Sequence, residues 1–119
     1  PLLAYLLICE KQYSNRNYMG SYNIGPDLPD CITTGELVEL FCKYWGNGLD
    51  WKKNTPKNSP HEANFLKLDC SRIKSVFGWS PKWNVKKAVK TTVDWTKEWL
   101  DNKNIIEIMQ TQIKEYLES

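Results

Sequence analysis

Lys57-Asn58-Ser59-Pro60-His61-Glu62 gathers a cation, a hydroxyl, an imidazole and a carboxylate in one short run. Ammonium and imidazolium groups give charge-assisted hydrogen bonds to phosphate, and a carboxylate accepts from ribose hydroxyls. The run closes a stretch, Asn54 to Pro60, too rich in turn formers to be anything but loop. Lys57, Ser59, His61 and Glu62 are therefore candidate contacts to the phosphates and ribose of a nucleotide. A histidine beside a glutamate is also an ordinary surface pair, and the residues alone leave both readings open.

Other chemistry is excluded by spacing. Gly46 and Gly48 form a G-x-G, but Trp51 takes the third position, so the glycine turn that receives a dinucleotide is missing. No Tyr is followed four residues later by Lys, which removes a Tyr–Lys acid–base pair. His61 is the only histidine and nothing aims a serine at it, so no Ser-His-Asp set can be argued. Cys9, Cys31, Cys42 and Cys70 form no C-x-x-C pair, which argues against zinc. No catalytic, cofactor-binding or metal-ligating residue is assigned.

With 16 Lys and Arg against 14 Asp and Glu, the chain carries no field strong enough to gather nucleic acid or an anionic membrane. The opening PLLAYLLICEK is too short to span a bilayer and lacks the basic segment and cleavage site of a secretory signal. Free thiols in the cytoplasm are the expectation. Six Trp and six Tyr suit a core first and a wet cleft second. An apolar run that starts at Pro1 without an initiator Met is expected of a fragment of a longer protein. The 119 residues make a single domain or part of one.

The elements that must position the loop can be read from period and punctuation. Leu2 to about Tyr13 is expected to be a buried helix, since Leu2, Leu3, Leu6, Leu7, Cys9 and Tyr13 leave little polar face. Ser21–Ile24 is a strand candidate ended by Gly25-Pro26-Asp27. Thr33 and Glu36 make a capping box for a helix carrying Leu37, Leu40, Phe41 and Tyr44, stopped at Gly46-Asn47-Gly48. Leu49–Lys53 and Asn64–Leu68 are further short strand candidates. Asp69 can cap a helix over Cys70–Phe77, with Gly78 and Pro81 beyond it. Asn84 caps a longer helix whose Val85, Ala88, Val89, Thr92, Val93, Trp95, Trp99 and Leu100 form an apolar face, with Lys86, Lys87 and Lys90 opposite. An amphipathic helix over Ile105–Leu117 ends the chain. The expected class is α/β and mostly helical, about five helices with two or three short strands that complete a sheet lying elsewhere.

PHEANFLKLDCSRIKSVFGWSPKWNVKKAVKTTVDW, residues 60–95, resembles the C-terminal stretch of the CDP-glucose 4,6-dehydratases, within the extended short-chain dehydrogenases acting on nucleotide sugars. In that family Pro-His-Glu-Ala precedes Leu-Lys-Leu-Asp, a short helix, Gly-Trp-x-Pro-x-Trp, and a helix with Thr-Val-x-Trp. Tyr22-Asn23-Ile24-Gly25-Pro26 resembles the family's last core strand, and Glu36-Leu37-Val38 with Tyr44-Trp45-Gly46 the helix after it. Gly-Trp-x-Pro is shared across the superfamily, while the Pro-His-Glu-Ala and Leu-Lys-Leu-Asp combination selects the CDP-glucose branch. Relatives commonly place a diphosphate-gripping Arg ten residues before the Asp; here Ser59 stands there, a departure from the UDP- and dTDP-sugar branches.

The resemblance implies a parent lyase of deoxysugar biosynthesis, of the kind that feeds lipopolysaccharide O-antigen. NAD on an N-terminal Rossmann domain would take hydride from C4 of CDP-glucose, water would leave across C5–C6, and hydride would return to C6. This chain would be the substrate-binding part without the Rossmann core, inactive alone and binding no cofactor itself. It would hold the CDP-sugar against the rest of a homo-oligomeric enzyme. Two readings from other classes remain: a carbohydrate- or nucleotide-binding module using Trp95 and Trp99 or Trp79 and Trp83 as a platform, and a helical interaction domain.

Overall fold

Helix boundaries follow the caps. In the computed structural model, which describes residues 1–54 and 67–119, five α-helices run in the order α1 (Leu2–Ser14), α2 (Thr34–Trp45), α3 (Ser71–Phe77), α4 (Val85–Leu100) and α5 (Ile105–Glu118). Thr33 Oγ1 accepts from the Glu36 N–H at 3.2 Å, and Glu36 Oε2 accepts from the Thr33 N–H at 2.7 Å, closing the expected capping box. Asn84 Oδ1 accepts from the Lys87 N–H at 2.8 Å to start α4. Gly46 (φ 74°) and Gly78 (φ 63°) end α2 and α3 at positive φ, where a Cβ is disfavoured.

The helices divide between two compact units. The first comprises Pro1–Cys31 and the described part of Phe65–Pro81. Its core is Ala4 from α1, Cys70 and Ile73 around the start of α3, and Trp79, with Leu7, Ile8, Tyr22, Ile24 and Phe77 packed against them. Phe77 meets Tyr22 edge-on with ring centroids 4.9 Å apart, a favoured aromatic geometry.

The second unit comprises the described parts of Ile32–Asn64 and Lys82–Ser119. Here α4 contacts both α2 and α5. Val93 is fully buried. Lys97 Nζ donates to the Tyr44 carbonyl at 3.2 Å and lies over the Trp45 ring, tying α4 to the end of α2. On the α5 side Gln112 Nε2 donates to the Thr91 carbonyl at 3.2 Å, and Trp83 meets Tyr116 edge-on at 5.0 Å. Because α4 touches two helices, its buried positions do not form a single stripe. Thr91 and Val93 are buried, whereas Ala88, Thr92, Trp99 and Leu100 are exposed, and Lys87 reaches Glu115 of α5.

Two expectations are corrected. The chain is helical, and no strand occurs among the described residues, so the strand part of the α/β expectation does not hold there. Ser21–Ile24 and Leu49–Lys53 form none; residues 64–66 of the third candidate lie outside the described residues, and Lys67 and Leu68 are irregular. A strand exists only with a neighbour to complete its ladder, and Ser21–Ile24 is held instead by side-chain bonds from Arg72 of α3 to Ser21 and from Asn23 to the Asp69 carbonyl. Secondly, α1 is not a buried helix. Ala4, Leu7 and Ile8 turn inward, while Leu2, Tyr5, Leu6, Cys9 and Tyr13 stay exposed, Tyr13 at 96%. All-round apolarity in a sequence reports a capacity for burial, and within this unit only one face of α1 meets a neighbour.

Candidate functional site

Lys57, Ser59, His61 and Glu62 lie outside the described residues, so the site is approached through the chain on either side of them. On the downstream side, Asp69 is anchored twice. Its carboxylate accepts from the Ser71 N–H at 2.9 Å, and its backbone carbonyl accepts from Asn23 Nδ2 at 3.1 Å. The Ser71 backbone N–H, followed by the Ser71 side chain, holds the Asp69 carboxyl below the usual aspartate range. The next residue, Cys70, is buried and turns its thiol toward the Leu68 carbonyl, 3.7 Å away. Gly25 runs so close that a Cβ there would sit 3.3 Å from Cys70 Sγ and 3.6 Å from Leu68.

Two cations of α3 complete this anchor. The Arg72 guanidinium lies 4.8 Å from the Tyr22 ring centroid and donates through Nη1 to the Ser21 carbonyl at 3.3 Å. Gly20 (φ 150°) makes room for it, since a Cβ would come within 2.6 Å of Arg72 Nη2. Lys74 pairs with Asp27, and that hydrogen bond raises the lysine's pKa. Asn23 and Arg72 stand in stretches that carry the family resemblance, with no contact assigned to either, and Lys74 stands out by no motif. Their partners lie 46 to 51 residues away in the chain, a separation that hides the pairing from local sequence.

On the upstream side, in the second unit, Gly46, Asn47 and Gly48 all adopt positive φ and turn the chain off the end of α2. Trp51 then lies against Gly35 in the first turn of α2, where a Cβ would be 3.6 Å from the ring. The Trp51 N–H donates to Asp50 Oδ1 at 2.8 Å.

The described titratable groups with shifted pKa are all structural. Glu36 is lowered by the Thr33 backbone and hydroxyl bonds, and Lys90 and Lys103 are raised by their bonds to Asp94 and Glu98. Among the described residues no group of His, Cys, Asp and Glu could hold a metal ion, and no helix is long and apolar enough to cross a membrane. Of the tryptophans named as platforms, Trp79 is buried in the core of the first unit. Trp95 and Trp99 stack on one another at 6.4 Å, with Trp99 exposed.

Among the described residues, α2 stands on the chain before residues 55–66 and α3 on the chain after them. No family model matches the chain. It is 29% identical over 118 residues, 98% of its length, to the CDP-glucose 4,6-dehydratase of Salmonella typhimurium, and spans only 33% of that protein. That similarity agrees with the resemblance drawn from the residues 60–95 stretch.

Proposed function

We propose that this chain is the C-terminal, sugar-nucleotide-binding part of an NAD-dependent CDP-glucose 4,6-dehydratase, converting CDP-glucose to CDP-4-keto-6-deoxyglucose. The observation that carries the proposal is a similarity to such an enzyme that runs along nearly the whole chain. In this reading Lys57 and His61 meet the diphosphate, Ser59 stands where relatives place an arginine, and Glu62 accepts from ribose hydroxyls. Binding energy gathered on the nucleotide then fixes the sugar at the reacting centre.

The described residues of this chain do not fit NAD. Gly46 and Gly48 follow a helix, and α2, α4 and α5 start from Thr33, Asn84 and Asn104 caps instead of a glycine turn. The cofactor and the acid–base groups are therefore assigned to the remainder of a cytoplasmic, homo-oligomeric parent, and this chain is inactive alone. The module reading keeps one observation, the exposed Trp99 stacked on Trp95.

Titration of the chain with CDP and with UDP, followed by heteronuclear NMR, tests the proposal. CDP is expected to shift Lys57, Ser59, His61 and Glu62 more strongly than UDP does. Silence toward both nucleotides would remove the case for these residues. Saturable shifts at Trp95 and Trp99 with a free glycan, and none with CDP, would favour the module.

A further inference from the structure

Helix α5 carries two apolar stripes, and among the described residues only one of them is used. Ile105, Ile108, Gln112 and Tyr116 are the half-buried positions of the helix, with Gln112 bonded to the Thr91 carbonyl and Tyr116 edge-on to Trp83. The second stripe is Ile106, Met109, Ile113 and Leu117, exposed by 68%, 47%, 56% and 55%. At 3.6 residues per turn these four fall on one side of the helix, and Glu107, Lys114 and Glu118 run along that stripe's border away from α4.

We propose that this outward stripe pairs with the same stripe of a second copy of the chain, the two α5 helices running antiparallel about a twofold axis. The charges on the border choose the partner and its direction. In an antiparallel helix pair each border meets its own counterpart, so Glu107 faces the partner's Lys114 and Lys114 faces the partner's Glu107. The same register sets Met109 against the partner's Ile113 and Ile106 against the partner's Leu117. These pairings agree to within one residue on a centre near Thr111. A parallel twofold pair would instead set each border against the partner's other border, so Glu107 and Lys114 would not meet. Each of the four side chains offers roughly 100 Å², so with their borders two copies bury on the order of 1,000 Å², the lower limit for a specific interface. The dimer is accordingly weak and reversible.

Sedimentation velocity of the 119-residue chain between about 5 and 500 µM, a range suited to an interface of this size, tests the proposal. The expected result is a concentration-dependent monomer–dimer equilibrium. Ile113→Glu abolishes it while helix content by circular dichroism is unchanged. Glu107→Lys weakens it roughly tenfold, because symmetry places two like-charge contacts in one interface, and the double variant E107K/K114E restores it. Leu6→Glu, on the exposed face of α1, leaves it intact. A chain that stays monomeric throughout, a dimer that survives Ile113→Glu or is lost in Leu6→Glu, or a double variant that fails to restore pairing would each overturn the proposal. None of these outcomes bears on the response to CDP, so the two proposals fail separately.

Discussion

Ile73 is fully buried in the first unit, on the short helix α3, and its truncation should destabilise that unit. Ile73→Ala removes three carbon atoms, each contributing about 0.8 kcal/mol when buried. The cavity left among Ala4, Cys70 and Trp79 adds to this, for a total of about 3 kcal/mol. Ile73→Val removes one carbon and should cost about 1 kcal/mol. With a urea dependence near ~1.5 kcal/mol/M, the midpoint should fall by roughly 2 M for Ala and about 0.7 M for Val. Val76→Ala, on the exposed side of the same helix, serves as the control and should cost well under ~1 kcal/mol. Tryptophan fluorescence follows the transition directly, since Trp79 lies in the same core. The reasoning is refuted if Ile73→Ala unfolds with the wild-type midpoint, or if Val76→Ala is the more damaging of the two.

Removing the α2 cap with Thr33→Ala should cost about 1 kcal/mol, read as a lowered Tm, and Asn84→Ala at α4 should cost about the same. Stability should also follow pH with a definite sign. The Glu36 and Asp69 carboxyls are depressed in the folded chain, so their contribution is complete above the unfolded values near ~4 and is lost as pH falls through the folded ones. Lys74, raised by Asp27, contributes fully below about 10.4 and loses its contribution as pH rises through its folded value. Urea midpoints measured from pH 2 to 11 should therefore show a plateau falling at both ends, with a smaller acid-side fall in Thr33→Ala.

What could be read from the sequence was local in origin. The Thr33–Glu36 box, the Asn84 cap and the Gly46 and Gly78 stops each involve residues within a few positions of one another, and the helices begin and end where those residues stand. The polar run at Lys57–Glu62 and the Pro-His-Glu-Ala resemblance are likewise properties of consecutive residues, and the chain's similarity to a CDP-glucose 4,6-dehydratase agrees with the resemblance. Tertiary structure decided everything that needs a distant partner. Ser21–Ile24 has a strand's composition, yet without a neighbouring ladder it is pinned by Asn23 to the Asp69 carbonyl and by Arg72 to Ser21. The apolar positions of α4 were legible as apolar, but which of them are buried depends on α2 and α5 closing on it from different directions. The same holds for α1 and α5, where Leu6 and Ile113 remain exposed although their residue types would suit a core. Periodicity states what a surface can bury; only the arrangement of neighbours settles what it does bury.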